Sequence, residues 1–245
     1  MTVNHEKRVF VAGATGAIGK RLCKLLVSDG WHVIGSTRHE NKRELLTSLG
    51  VQPVIVDVFD DVALRSALVE MRAEYIIHQL TDLPPALDPQ LMPAARARNA
   101  HLREAGTRNL IAAAMAAGCR RMVVQSIAFA YAPGVMPYEE SSALDMQSAD
   151  PAMLQTVRAV NSMEQQVLNA PFAGVVLRYG RLYGPGTGFD HATGRAPLHV
   201  DAAAHAARQA LSKGRGIYNI AEEDGTVTCI RAQSELGWSA AFRIS

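Results

Sequence analysis

Short apolar runs alternate along this chain with stretches in which apolar residues return every three or four positions. Lys7 to Ala12 contains Val-Phe-Val-Ala and predicts a buried first strand. Ile18, Leu22, Leu25 and Leu26 form one stripe of a helix running from Ile18 to Ser28. The alternation continues with strands at His32 to Ser36, Gln52 to Val56 and Tyr75 to His78, separated by helices at Asn41 to Leu49 and Val62 to Arg72. Pro84, Pro85, Pro89 and Pro93 mark a loop, and a long helix from Ala94 to Ala117 should end at Gly118. Strands at Arg121 to Gln125, Gly174 to Arg178 and Gly216 to Ile220 follow, with helices at Leu154 to Leu168 and His199 to Leu211 and a helical pattern ending near Leu236. Alternating strands and helices predict a parallel sheet covered on both faces.

Composition narrows the reading. The chain has 245 residues, 48% of them hydrophobic, enough for one sizeable α/β domain. A net charge of +2 with 20% charged residues argues against a nucleic-acid binder or a polybasic membrane protein. Arg120-Arg121 and the series Arg96, Arg98, Arg103 and Arg108 read as solvated helix faces. Cys23, Cys119 and Cys229 are widely spaced with no CxxC pair, which fits free thiols in a reducing compartment and neither a disulfide framework nor a zinc site. No signal peptide or membrane-length apolar run is visible, so a cytoplasmic location is expected.

The first chemical motif is Gly13-Ala14-Thr15-Gly16-Ala17-Ile18-Gly19, three glycines after a strand and at the start of a helix. Gly13 permits a tight turn, Gly16 lets backbone approach a pyrophosphate, and Gly19 allows close packing of helix on sheet. Phosphates would sit at the helix N-terminus, where free N–H groups and the dipole favour anions. Together with the strand pattern, the motif predicts a Rossmann-type doubly wound parallel sheet in one NAD(P)-binding domain over residues 1–245, with residues from about 181 to 245 contributing a minimal C-terminal substrate lobe. The second strand ends Gly35-Ser36-Thr37-Arg38 without the acid that usually holds NAD ribose hydroxyls, although Glu40 lies two residues on. A guanidinium at Arg38 can grip a 2′-phosphate, so NADP is expected, with NAD as the alternative. Asp57, followed by Val58, is placed to reach the adenine amino group; it could equally cap the helix at Val62, as could Asp60 or Asp61.

Further stretches carry a family resemblance. Asn99 with Gly106-Thr107-Arg108-Asn109-Leu110, Val123-Val124-Gln125-Ser126, Leu177-Arg178-Tyr179-Gly180-Arg181-Leu182-Tyr183-Gly184-Pro185-Gly186, Leu198-His199-Val200-Asp201, Ile217-Tyr218-Asn219-Ile220 and Glu235-Leu236-Gly237-Trp238 occur in order along nearly the whole chain. The chain resembles an extended or atypical short-chain dehydrogenase/reductase of the NAD-dependent epimerase/dehydratase type. The resemblance implies that His78, Gln79, Leu80 and Thr81 line the cofactor, with Asn99 also on the cofactor side. It implies further that Tyr179, Gly180 and Leu182 lie near the nicotinamide and that Ser126 hydrogen-bonds a substrate carbonyl or hydroxyl. Homodimerisation through the Ala94 and Leu154 helices is implied by the same resemblance.

The pattern breaks where the family's chemistry should be. Its Tyr-x-x-x-Lys pair moves the proton while the cofactor exchanges hydride. Aligning Glu164 to the family's glutamate puts Thr156 at the tyrosine position and Val160 at the lysine position. Independently of alignment, none of the tyrosines (75, 131, 138, 179, 183 and 218) has a lysine four residues later. The substrate insert is reduced to Thr187 to Pro197, and Ala202 stands where the family often has a second acid; both make a large nucleotide-sugar substrate a poor fit. Three readings follow: an NADP(H)-dependent oxidoreductase on a small carbonyl or hydroxyl compound, with Ser126 and Tyr131 as non-standard catalytic residues; a non-catalytic NADP(H)-binding sensor; or an isomerase or lyase on a small substrate. No nucleophile elbow, HExxH pair or acidic dyad supports a hydrolase.

Overall fold

The computed structural model describes residues 7–84 and 87–244, so Pro85 lies outside the described residues. Nine strands and seven α-helices are described: β1 (Arg8–Ala12), α1 (Ala17–Ser28), β2 (His32–Thr37), α2 (Arg43–Ser48), β3 (Gln52–Ile55), α3 (Asp61–Glu70), β4 (Tyr75–His78), α4 (Met92–His101), α5 (Thr107–Ala116), β5 (Arg121–Ile127), α6 (Pro151–Leu168), β6 (Ala173–Tyr179), β7 (Arg181–Tyr183), β8 (Pro197–His199), α7 (Val200–Ala210) and β9 (Gly216–Ile220). Seven strands make one sheet in the order β3-β2-β1-β4-β5-β6-β9, every neighbouring pair parallel. This is the Rossmann-type doubly wound fold. The order reverses between β1 and β4, where open sheets of this kind part their loops into a crevice.

Alternation along each strand feeds two cores. Val9, Val11 and Val33 face a cluster that also holds Leu22, Leu26 and Leu46 from α1 and α2 and a run of buried alanines from α7. Phe10, Ala12, Ile34 and Ile76 face the opposite cluster with Leu64, Leu68, Leu110, Met163 and Val167. Small residues at Ala203 and Ala207 let α7 lie close to α1, and Arg21 of α1 meets Asp201 of α7 at 2.6 Å. The helix α3 is capped by Asp60, whose carboxylate accepts from the Ala63 N–H at 2.9 Å, which settles the choice among the three nearby aspartates.

Three local features depart from the sequence pattern. The long helix is divided into α4 and α5 by a π-helical turn at Leu102–Gly106. Gly118 keeps its expected place at the helix end, with φ +73 just beyond α5. The stretch between β6 and α7 is not all loop, because β7 and β8 pair as a small parallel sheet. The tail pattern near Leu236 is a single π-helical turn, Ala232–Leu236. Of residues 181–245, α7 and β9 belong to the main layers, so what stands outside them is β7, β8 and the intervening loops.

Arg121 is not a solvated helix residue: its guanidinium donates to the carbonyls of Ala210, Lys213 and Gly214 beyond α7. On α5, Ala113 packs into the core, while Ala112 and Ala116 stay exposed beside Met115. No described helix is long and apolar enough to cross a membrane. Leu22 is fully buried between α1 and the sheet. Leu22→Ala should therefore cost about 2–5 kcal/mol of stability by urea unfolding, whereas Met115→Ala should stay within about 0.5 kcal/mol.

Candidate functional site

The carboxyl ends of β1, β2, β4, β5 and β6 open into a cleft. At its centre is the glycine turn between β1 and α1. Gly13 has φ +88, and a Cβ there would lie 2.7 Å from the Gln79 carbonyl oxygen. A Cβ on Gly19 would fall 2.1 Å from the Gly13 carbonyl oxygen. Both positions therefore require the missing side chain. Gly16 starts α1 with no side-chain cap and no acid in the first turn, so the helix presents its N-terminal N–H groups and positive dipole end to the cleft. Gly13, Thr15, Gly16, Ala17, Ile18 and Gly19 thus fit a dinucleotide pyrophosphate.

Two cavities, of about 500 and about 450 Å³, lie along the cleft. Thr81, in the loop after β4, lines both. The larger is walled by Arg38, Asp57, Val58 and Leu80, among others. Asp57 accepts from the Phe59 N–H through Oδ1 at 2.9 Å, shaping the loop after β3. Glu40 is held by Arg43, at 2.5 and 3.2 Å. Arg38 is exposed and has no hydrogen bond or ion pair among the described residues, which leaves its guanidinium available to a phosphate.

The second cavity is lined by Thr81, Asn99, Ser126, Tyr179, Gly180 and Leu182, among others. Asn99 is buried; its Oδ1 accepts from the Asp82 N–H and its Nδ2 donates to the Ala95 carbonyl, which holds the loop that carries Thr81. Beneath the cavity runs a buried polar chain. Glu164 and Arg178 form a two-pronged ion pair, at 3.0 Å from Nε and 2.6 Å from Nη2. Both side chains are 4% exposed or less. Burial alone would lower the Arg178 pKa; the bonds and charge of Glu164 and Tyr131 outweigh it and hold the guanidinium charged. Arg178 also donates to the Tyr131 hydroxyl at 3.0 Å and lies 5.0 Å from that ring's centre.

Three hydroxyl protons of this region are committed, while Thr81 and Thr193, exposed at the same cavity, have no hydrogen bond through their hydroxyls among the described residues. Ser126 is fully buried and donates to Glu164 at 2.6 Å. Thr156, at the position of the family's tyrosine, lines the cavity but donates to the Ala152 carbonyl at 2.9 Å. Tyr179 donates to the Ala203 carbonyl at 3.1 Å, and burial pushes its pKa up. Val160, at the lysine position, is fully buried in an apolar cluster with Ile127 and Val157. Arg158 is exposed on the other side of α6.

Two expectations need correction. Tyr131 does not line either cavity. Its hydroxyl donates to Asn219 at 2.6 Å while accepting from Arg178, and burial raises its pKa against the opposing pull of those partners. It is a member of the buried chain and is not positioned as a proton donor. Ser126 reaches the cavity wall, but its one proton points to Glu164, so it offers a lone pair and no donor to a substrate carbonyl. A third correction concerns Arg103, which the sequence pattern assigns to a solvated helix face. It is instead partly buried and lines the second cavity with Arg96. Arg98 pairs with Asp82 at 3.0 Å, and Arg108 is exposed as expected. The signal for Arg103 was its spacing from Arg96 and Asn99, which places all three toward one side of a helix.

Comparison with known proteins agrees with this geometry. A family described as NAD(P)H-binding matches residues 13–210. The chain is 40% identical to the "3-diazoavenalumate denitrifying reductase" of a Streptomyces species, over 89% of this chain and 76% of that protein. Its fold is similar to the UDP-glucose 4-epimerase of Thermotoga maritima, with TM-score 0.76, 17% identity and coverage of 96% of this chain and 94% of the other. The UDP-glucose 4-epimerase of Thermus thermophilus, solved in complex with NAD, gives TM-score 0.76 at 19% identity, covering 97% and 95%.

The buried chain predicts a specific stability pattern. Glu164→Gln should destabilise by about 3–5 kcal/mol in urea unfolding, because it leaves Arg178 charged and unpaired. Glu164→Leu combined with Arg178→Met should recover a large part of that loss; equal destabilisation by single and double variants would contradict the pairing.

Proposed function

The chain belongs to the NAD(P)H-binding family, and from that premise we propose that it is an NADP(H)-dependent reductase whose hydride acceptor needs no proton from the protein. The observation that carries this reading is the set of committed hydroxyls: Ser126, Thr156 and Tyr179 each donate inward, to Glu164, Ala152 and Ala203. Carbonyl reduction makes an alkoxide that a positioned acid must protonate, and general acid catalysis is worth about 10²–10⁴ in rate. This cleft holds neither the tyrosine nor the lysine that would do so, and what remains is water and the alcohols of Thr81 and Thr193, which have no base or cation bonded to them to make them acids. An acceptor that expels a neutral leaving group avoids the requirement.

The relative named as a denitrifying reductase of a diazo compound suggests the acceptor class: a diazo-bearing arene. When bound in the cleft, the reduced nicotinamide supplies a hydride. The balance is then complete without an acid, since an arenediazonium plus hydride equals the arene plus N2. The chain's own part is to hold the cofactor at the glycine turn, grip its 2′-phosphate through Arg38, and wall the acceptor into the cavity beside Gly180 and Leu182 so that water stays out. Arg38 as the 2′-phosphate ligand is supported by its lack of an internal partner, with the nearby Glu40 already held by Arg43.

The test is NADPH consumption with an arenediazonium carboxylic acid, and with small aldehydes, ketones and quinones, each compared with the protein-free rate. The diazo compound should consume NADPH one for one with release of N2, and the carbonyl compounds should turn over about 100-fold more slowly or worse. Arg38→Ala should weaken NADPH binding about tenfold while leaving NADH binding unchanged. Carbonyl turnover as fast as diazo turnover would overturn the acceptor class. Tight NADPH binding with no turnover of any acceptor would favour a sensor.

A further inference from the structure

Arg103 is a guanidinium without a partner. It lies in the π-helical turn between α4 and α5, a local widening that recurs at functional sites in helices. It is partly buried, lines the second cavity, and has no hydrogen bond or ion pair among the described residues. Burial pushes its pKa down to about 10, with only partial relief from the charge of Glu164, so it stays protonated at neutral pH. Glu164 cannot serve as its partner, because both carboxylate oxygens already bind Arg178 and one also accepts from Ser126. Buried charges are ordinarily paired, and a cation left bare in a cavity wall marks a place where an anion arrives with the ligand.

The surroundings define that anion. The cavity wall carries Arg96, Arg103 and Arg181 against a single acid, Asp150, whose carboxylate is occupied in capping α6. Arg181 is stacked over the Phe129 ring at 4.7 Å, at the exposed edge. Much of the remaining wall is apolar: Leu83, Leu87, Met92, Phe129, Met153 and Phe189. Behind the wall, His78 lies within electrostatic reach of Arg103 but lines neither cavity. His78 accepts the Leu80 N–H on Nδ1, which leaves Nε2–H as a buried donor with no partner. Burial first, and the charge of Arg103 second, push the His78 pKa down to about 4, so this ring is neutral and adds no competing charge.

We propose that the second cavity binds an aromatic or conjugated carboxylate, with the carboxylate on the fork of Arg103 and the unsaturated carbon frame against the apolar wall around Phe129 and Met153. A planar guanidinium matches a carboxylate with two parallel hydrogen bonds, and one partly buried cation balances one negative charge. This inference rests on the reading of the cleft as a hydride-transfer site and names the class of molecule that site accepts. It also gives the cavity a means of fixing orientation, because a charged end held between α4 and α5 restricts how a rigid molecule can lie against that wall.

The test uses the full chain loaded with NADPH. Calorimetric titrations with trans-cinnamate, its methyl ester and cinnamamide compare acid with neutral isosteres. Cinnamate should bind about tenfold or more tightly than either, and Arg103→Gln should erase that preference while NADPH affinity and thermal midpoint stay unchanged. Arg103→Lys should restore part of it. The proposal is overturned if acid and ester bind alike, if cinnamate does not bind at millimolar concentration, if Arg103→Gln keeps the preference, or if inorganic phosphate displaces cinnamate at equal concentration. Because binding is read without turnover, failure of the reductase reading leaves the acid preference measurable. Failure of the Arg103 assignment, in turn, leaves NADPH consumption by arenediazonium salts that lack a carboxylate intact.

Discussion

The buried ion pair between Glu164 and Arg178 is the interaction on which the rest of the site depends. It joins α6 to β6, and through Ser126 it reaches β5. Through Tyr131 and Asn219 it reaches β9 and the segment that follows β5. Two charges removed from water at 4% exposure or less are tolerable only with nearly complete pairing, and here the carboxylate and guanidinium satisfy each other in parallel. That requirement sets the direction of the Ser126 proton. The serine of the cleft is therefore governed from below, by the core, rather than by whatever enters from above.

The same logic divides the cleft into committed and uncommitted groups. The Ser126, Thr156 and Tyr179 hydroxyls are spent on interior acceptors, and the lysine position is filled by Val160 in an apolar cluster. Positive charge is what remains free: Arg38 in the first cavity and Arg103 in the second. A site with free cations and no free acid is suited to holding anionic molecules in register. It is poorly suited to protonating an alkoxide. Hydride transfer to an acceptor that expels N2 is consistent with both halves of that description.

The sheet was legible because parallel strands buried on both faces read as continuous apolar runs, and β4 and β9 fall where those runs do. The glycine turn was legible because Gly13 and Gly19 have steric reasons that no other residue meets. What was not legible depended on contacts across the chain. The strands β7 and β8 are three residues each, too short for a period to register. The π-helical turn at Leu102–Gly106 leaves no mark on the helical pattern, and Arg103, one of a series of arginines, reads as solvated in sequence but is partly buried in the fold. Tyr131 looked available because it follows Ser126 closely; its hydroxyl is instead fixed by Arg178 and Asn219, which lie far along the chain.

The central claim is that hydride transfer here proceeds without a proton from the protein. Its most direct measurement is a single turnover of NADPH-loaded protein with an arenediazonium carboxylic acid, followed by loss of the reduced-nicotinamide absorbance in H2O and in D2O, and repeated with deuterium at the transferred position of NADPH. The account predicts that deuterium on the cofactor slows the step several-fold and that D2O leaves it unchanged. A comparable slowing in D2O would mean that a proton moves in the same step, and the account would be wrong.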